Sequence, residues 1–341
     1  MNKIYILILN WNGWKDTIEC LETVFRNDHP NYQVIVCDNQ SQDDSLDYIK
    51  AWAEGRLETL MWESEELRYL TFPPVAKPIH YIEYDRKNAE AGGNSQDENV
   101  PLILIQNGAN LGFAGGNNVG LRYILARNDF AYVWLLNNDT LIKTDALTKM
   151  IQRIKEIPEA GICGSTLLYY HQPDKVQAYG GARYNKWIGL AKHIGALENL
   201  KDFIDVHDIE SRMNYVVGAS MLVSRSFLND VGLLSEDYFL YCEEVDWSTR
   251  AGNRYLLLYE PSSVVYHKEG ATIGGSHIRS KEKSYIAEYH AVKSRLVYTR
   301  KFFPWCLPTL YLGFLVRMIN YILRGQFKRV NMLFKIVLSK E

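Results

Sequence analysis

Little in this chain would fix it covalently. Its five cysteines (Cys20, Cys37, Cys163, Cys242 and Cys306) form no CxxC pair. An odd, scattered set argues against a disulfide frame or a structural zinc site and suits a reducing compartment. Charge of one sign is also missing. Lys and Arg number 38 against 40 Asp and Glu, a net −2, so nucleic acid is not expected as a partner. No Walker loop and no GxGxxG fingerprint occurs. No stretch reaches the roughly 20 uninterrupted apolar residues of a spanning helix. The start, MNKIYILILNWNG, has a basic residue and a short apolar run but no small-residue cleavage site. It reads as a first strand and not as a signal peptide.

What is present is the composition of a packed globular chain of 341 residues, 47% hydrophobic and 23% charged. Ile4 to Leu9 is continuously apolar, as in a strand buried on both faces. Trp14 to Phe25 has helical spacing, and Tyr32 to Cys37 is a second buried strand. Asp43 or Asp44 caps a helix through Leu46, Ile49 and Trp52. Residues 55–100 break the rhythm with Pro73, Pro74 and Pro78 and an Ala91-to-Asn99 tip, and read as an irregular insertion. Leu102 to Ile105 resumes as a strand, Gly115 to Arg127 as a helix, and Tyr132 to Leu136 as a strand. This β-α-β order predicts an α/β fold, a mostly parallel sheet flanked by helices. Beyond Pro158 the pattern is mixed. Strands are expected over Gly161–Tyr170 and Met213–Val223, with a polar loop region between them. Helices follow over Phe227–Val231, Glu243–Arg250 and Glu282–Phe303, and extended segments over Tyr255–Tyr259 and Val264–His267.

Five clusters carry candidate chemistry. Asp38-Asn39-Gln40-Ser41 ends a strand, where a carboxylate can accept from a pyrimidine N–H. Asn110-Leu111-Gly112-Phe113-Ala114-Gly115-Gly116-Asn117-Asn118 precedes a helix, where backbone can approach a phosphate closely. Leu135-Leu136-Asn137-Asn138-Asp139-Thr140 puts a lone acid at the carboxyl end of a central strand, the edge where α/β sheets bind ligands. One carboxylate suffices for Mg²⁺ or Mn²⁺ if a substrate diphosphate and water complete the shell. Glu243-Glu244-Val245-Asp246 crowds like charges, which in a partly buried site raises at least one pKa and suits a general base. His267 ends a strand before a glycine-rich loop. Taken singly each cluster is weak, since turn, cap and surface chemistry use the same residues.

In order along the chain, these clusters resemble a family 2 glycosyltransferase of the GT-A fold, and within it the rhamnosyltransferase-like branch of cell-surface polysaccharide assembly. The resemblance covers residues 3–300, apart from the 55–100 insertion. It implies that Asn10, Asn12, Asp38, Asn39 and Ser41 line the base and ribose of a nucleotide-sugar. Asn110, Gly112, Gly116 and Asn117 would contact the nucleotide or its phosphates. Asn137, Asn138 and Asp139 stand at the family's Asp-x-Asp position, with Asn137 where its first aspartate usually is. Asp139 is then the metal ligand and His267 its C-terminal partner, for Mg²⁺ or Mn²⁺. Glu243, Glu244 and Asp246 fall on the catalytic acids, with Glu244 the preferred base.

The implied reaction is an inverting transfer of a sugar, best read as rhamnose from dTDP-rhamnose, to a saccharide or lipid-linked saccharide acceptor. The 270–276 loop would close over the donor. Two rivals stand beside this reading. A sugar-phosphate nucleotidyltransferase would need Arg and Lys near the N-terminus, where Asn10 to Lys15 supplies one lysine. A non-catalytic nucleotide-sugar or membrane-binding protein would be marked by loss of the acids. The expected organisation is one domain over 1–300, with a nucleotide-sugar half (1–160) and an acceptor half (161–300). The tail (301–341) is left with two readings. Its basic and apolar residues over 302–338 form either amphipathic helices on a membrane surface or a helix pair packed on the core. The first places the chain in the cytoplasm, peripheral on the inner face of the cytoplasmic membrane.

Overall fold

The structure of the chain is a computed structural model that describes residues 3–57, 64–94, 97, 99–269 and 284–338. The chain begins β1 (Lys3–Asn10), α1 (Trp14–Val24), β2 (Tyr32–Asp38), α2 (Ser45–Ala53), β3 (Tyr81–Asp85), α3 (Arg86–Glu90), β4 (Leu102–Gln106), α4 (Gly112–Arg127), β5 (Phe130–Asn137), β6 (Thr140–Ile142) and α5 (Ala146–Lys155). It continues β7 (Ala160–Tyr169), β8 (Gln172–Tyr179), β9 (Gly181–Asn185), β10 (Leu190–His193), α6 (Val206–Arg212), β11 (Tyr215–Val216), β12 (Ser220–Ser224), α7 (Arg225–Val231), α8 (Glu243–Ala251) and β13 (Leu256–His267). Three helices close it: α9 (Tyr285–Phe302), α10 (Leu307–Leu323) and α11 (Phe327–Leu338).

One sheet runs through both halves in the order β3-β4-β2-β1-β5-β12-β7-β13-β6, with β8 on β7. The left side, β3 to β5, is parallel throughout. β12 lies antiparallel between β5 and β7. Alternation explains why the strands are apolar along their whole length. Ile4, Ile6 and Ile8 pack on one face and Tyr5 and Leu7 on the other, each face covered by helices. The second sheet is small: β9 pairs antiparallel with β10 and β11.

Register puts the polar strand ends side by side. Asn10 lies opposite Asp38, Asp38 opposite Gln106, and Leu9 opposite Asn137. His267 pairs with Thr140, one residue from Asp139.

The structure corrects several expectations. Residues 81–90 are not irregular. β3 joins the sheet edge parallel to β4, and Asp85 caps α3 by accepting from the Asn88 N–H at 2.8 Å. Its half-exposed, polar-alternating residues are those of an edge strand, which hides the apolar signal. The polar region before Met213 holds β8, β9, β10 and α6. Met213–Val223 is not one strand but β11 and β12 around a turn at Val217–Ala219. The two extended segments at 255–267 are one strand with an irregularity between Glu260 and Val264. The α4 helix begins at Gly112, three residues earlier than its glycines suggest. The 270–276 loop, the 282–283 start of the predicted C-terminal helix and part of the 91–99 tip lie outside the described residues.

The tail is mostly helical. α9, α10 and α11 pack on one another through Val292, Leu296, Leu310, Phe314, Leu333 and Ile336. Yet Pro304–Leu323, 20 residues interrupted only by Arg317 among charges, is long and apolar enough by length and composition to cross a membrane. The uninterrupted-run criterion misses it because of that arginine.

Candidate active site

A cleft of 590 Å³ opens at the carboxyl ends of β1, β2 and β5. Asn39, Asn110, Gly112, Asn137, Asn138, Asp139, Glu243, Glu244 and His267 all line it. Residues from the loop after β2 and from α4, β5, α8 and β13 thus meet in one place, although they are far apart in sequence.

On the β1–β2 side the polar atoms are committed to each other. Asp38 Oδ1 accepts from Asn10 Nδ2 and from Ser41 Oγ, both at 2.6 Å. Its Oδ2 accepts from the Ser41 N–H at 2.9 Å and from Gln106 Nε2 at 3.3 Å. Asn12 accepts from the Gln42 N–H at 2.7 Å, and its own N–H donates to Ser41 Oγ at 2.8 Å. Asn10, Asn12, Asp38 and Ser41 therefore form a pre-built turn behind the cleft, while Asn39 and Trp11 present themselves to it.

The glycine block works by close approach. Gly112 has φ +71°, and a Cβ there would lie 2.1 Å from the Phe239 carbonyl oxygen. The next amide, of Phe113, donates to that carbonyl at 2.8 Å, which fixes the loop before α8 against the start of α4. Gly116 sits under Asn39 and Leu9, with no room for a side chain. Asn117 donates to the Phe113 carbonyl at 2.9 Å. Gly116 and Asn117 are not among the cleft-lining residues, and shape its wall from behind.

At the end of β5, Asp139 Oδ1 lies 3.1 Å from His267 Nε2, with Asn137 Nδ2 at 3.3 Å from the same nitrogen. His267 Nδ1 meets Gln177 Oε1 at 2.9 Å. A carboxamide oxygen only accepts, so Nδ1 carries a proton and Nε2 is turned toward Asp139. Burial raises the Asp139 carboxyl, but His267 and Lys268 outweigh it and hold the pKa below its ordinary value. Burial lowers the His267 imidazole, and Asp139 outweighs that and holds it above its ordinary value. Behind them Lys268 is clamped between Asp16 and Glu19, both at 2.5 Å, which ties the end of β13 to α1.

The acids of α8 behave differently. The turn before them, Tyr241 and Cys242, is in the left-handed region at φ 69° and 71°. Such backbone costs on the order of 1–3 kcal/mol per residue and persists where surrounding structure imposes it. Glu243 is buried, and its Oε2 has no hydrogen-bond partner. Burial, with the Glu244 carboxylate beside it, pushes the Glu243 carboxyl well above the usual range. Burial also raises Glu244, against backbone hydrogen bonds from its own amide and from Gly218. A Cβ at Gly218 would meet Glu244 Oε1 at 2.4 Å and displace that carboxylate. Asp246 faces away from the cleft. It binds Tyr238 OH at 3.0 Å, Arg250 Nε at 2.5 Å and Lys301 Nζ at 2.9 Å, a core ion-pair cluster.

Sequence reasoning missed Gln177, Gly218 and Arg295. Gln177 and Gly218 lie in strand or turn segments with no local mark, and Arg295 is one basic residue among several on α9. All three line the cleft.

Among the described residues no cluster of three or more metal-type side chains occurs. Asp139 and His267 nevertheless fit a hard divalent cation. They offer one carboxylate oxygen and one oriented imidazole nitrogen on an open cleft wall, with room for substrate oxygens and water.

A mostly parallel, helix-flanked sheet with an acid at the end of a central strand and a second acidic corner across the cleft matches the GT-A fold that the sequence resemblance implies. The chain belongs to glycosyl transferase family 2, whose model matches residues 5–73 and 89–232. It is 34% identical over 242 residues to the N-acetylglucosaminyl-diphospho-decaprenol L-rhamnosyltransferase of Mycobacterium tuberculosis, covering 63% of this chain and 76% of that protein. It is 28% identical over 151 residues to the low-salt glycan biosynthesis hexosyltransferase Agl10 of Haloferax volcanii, covering 44% of this chain and 46% of that relative, under half its length. Among solved structures, GalNAc-T7 with UDP, GalNAc and Mn²⁺ shares the fold at a TM-score of 0.53 and 14% identity, covering 88% of this chain and 48% of that one. The chain is thus a family 2 glycosyltransferase similar to rhamnosyltransferases.

Proposed function

We propose that the protein moves a sugar, rhamnose from dTDP-rhamnose as the best reading, onto a lipid-linked saccharide with inversion at the anomeric carbon. The observation that carries this is the pairing across one cleft of Asp139 and His267 with Glu243 and Glu244. The similarity to a rhamnosyltransferase whose name gives a diphospho-decaprenol acceptor supports the choice of sugar and lipid.

In this reading Asn39, Asn110, Asn137 and Asn138 hold the nucleotide-sugar, and the Asn10–Asp38–Ser41 turn keeps their backbone in place. Asp139 and His267 would hold Mg²⁺ or Mn²⁺, which supplies offsetting charge for the leaving diphosphate. Burial and the neighbouring Glu244 carboxylate favour the protonated form of Glu243. Glu244, half-buried and steadied by the Gly218 amide, serves as the base. It takes the proton of the acceptor hydroxyl as that oxygen attacks the anomeric carbon, and the nucleotide diphosphate leaves with the bonding pair. Asp246 positions α8 through its three partners and takes no part in the proton transfer. The 1–300 catalytic unit and the 301–341 tail serve donor chemistry and lipid access respectively.

The test is a donor panel scored for nucleotide diphosphate release, with Mg²⁺ or Mn²⁺ and with chelator. Release is expected with metal, and its loss with chelator and in Glu244→Gln. Donor binding without turnover, indifferent to metal, would instead mark a binding protein.

A further inference from the structure

Beside the donor cleft lies a larger concavity of 1220 Å³. The β9–β10 hairpin forms one wall, and Val245, Thr249, Tyr298 and Phe303 form the other. Tyr184, Ala191, His193 and Val245 belong to both hollows, so the groove opens next to Glu243 and Glu244.

Its lining is cationic. Strand register sets Lys192 directly opposite Arg183, a cross-strand placement of like charges that weakens a pair of strands. Both side chains are exposed and line the groove, and neither has an ion-pair partner among the described residues. The other lining charges are occupied. Arg212 pairs with Asp208 at 2.8 Å, and the Lys186 ammonium sits 5.2 Å from the Phe303 ring centroid. Glu198, the only acid among the described lining residues, is held by Lys201 at 2.7 Å. An anion between Arg183 and Lys192 would offset a repulsion the hairpin otherwise carries.

The outer end of the same hairpin is apolar. Trp187 and Ile188 are 50% and 47% exposed. Thr309 of α10 donates to the Trp187 carbonyl at 2.5 Å, so hairpin and helix are tied together. α10 buries Leu310, Phe314 and Tyr321, yet its other face exposes Leu312, Leu315, Val316, Ile319, Ile322 and Leu323 at one continuous helical spacing. A helix apolar on both faces calls for apolar surroundings outside the protein as well as inside. Arg324 and Lys328, exposed just past the end of that stripe, suit an anionic lipid surface.

We infer that this groove binds the phosphate-bearing end of a lipid-linked acceptor, with Arg183 and Lys192 as its anion contact, while the Trp187–Ile188 tip and the α10 stripe rest in the bilayer that carries the lipid. The inference rests on the lipid-linked acceptor proposed above and locates where that acceptor docks.

Binding measurements test it separately from turnover. Farnesyl diphosphate, farnesol and inorganic diphosphate are titrated calorimetrically into the full chain. Farnesyl diphosphate is expected to bind at least about tenfold more tightly than either fragment. Arg183→Gln with Lys192→Gln should weaken it by about tenfold or more, and Asp139→Asn should leave it unchanged. Binding lost in Asp139→Asn and kept in the double variant puts the diphosphate in the donor cleft and overturns the proposal. Inorganic diphosphate binding as tightly as farnesyl diphosphate reduces the pair to a free-phosphate site and also overturns it. In flotation with phosphatidylcholine–phosphatidylglycerol vesicles, the parent should float and Leu315→Ser with Ile319→Ser should not. If the Arg183/Lys192 variant fails to float yet keeps its farnesyl diphosphate affinity, the pair reads bulk headgroups and the acceptor assignment fails. If the parent sediments as a dimer that Leu315→Ser/Ile319→Ser dissociates and does not float, the stripe joins two copies and the bilayer assignment fails. None of these outcomes bears on the donor panel, which alone decides the transferase reading.

Discussion

Asp38, in the turn behind the cleft, and Glu243, in its wall, are carboxylates 1% and 2% exposed. Asp38 has donors on both oxygens, from Asn10, Ser41 and Gln106. Glu243 has an oxygen with none. The first is scaffold: a buried charge made tolerable by complete hydrogen bonding, which fixes the β1 and β2 loops before any ligand arrives. The second is a group held at a cost: burial, with the Glu244 carboxylate beside it, pushes its pKa up. A satisfied polar cluster positions, and an unsatisfied one is available for chemistry.

The sharpest way to break this contrast is Glu244→Gln. If the acid corner does the proton transfer, kcat falls by about 10²–10⁴-fold while donor affinity, read by calorimetry, is unchanged. Next is Gly112→Ala, which tests whether the acid corner depends on the donor side for its place. The added Cβ meets the Phe239 carbonyl at φ +71°. We expect a loss of about 2 kcal/mol or more of stability, read as a lowered Tm, together with reduced activity. Asp38→Asn probes the scaffold alone. It turns an acceptor into a donor facing donors and should cost about 2 kcal/mol, measured by chemical denaturation.

The smallest effect is the pH dependence of the acid pair. Glu244 must be ionised to act, and its pKa is raised, so kcat/KM should fall with decreasing pH through a value above the ordinary 4.5. For stability the sign is opposite. A carboxyl with a raised folded pKa contributes stability that is full below 4.5 and is lost as pH rises through the folded value. Glu243→Gln has no such loss, so its Tm should gain on the parent between acid and neutral pH. A Tm difference independent of pH would mean that Glu243 is not held protonated.

The β-α-β frame was legible because strands buried on both faces are apolar without interruption, as in Ile4 to Ile8. The edge strand β3 and the hairpin β9–β10 were not, because half-exposed strands alternate with polar residues and look like loops. The cluster at Asn137 to Asp139 and the acids at 243 and 244 were legible as chemistry. Gln177 was not, since nothing near it in sequence indicates that it meets His267.

The sequence by itself determined which residues carry charge and hydrogen-bonding capacity, and that apolar strands alternate with helices. Local pattern and residue chemistry depend only on neighbours along the chain. Only the tertiary structure decided which polar atoms spend that capacity on each other. It turned Asp246 into a core ion pair, sealed Asp38 among its donors and left one oxygen of Glu243 without a partner. It also set Arg183 against Lys192 at the groove. Satisfaction and repulsion are properties of groups brought together by sheet register and helix packing, across separations no local pattern records.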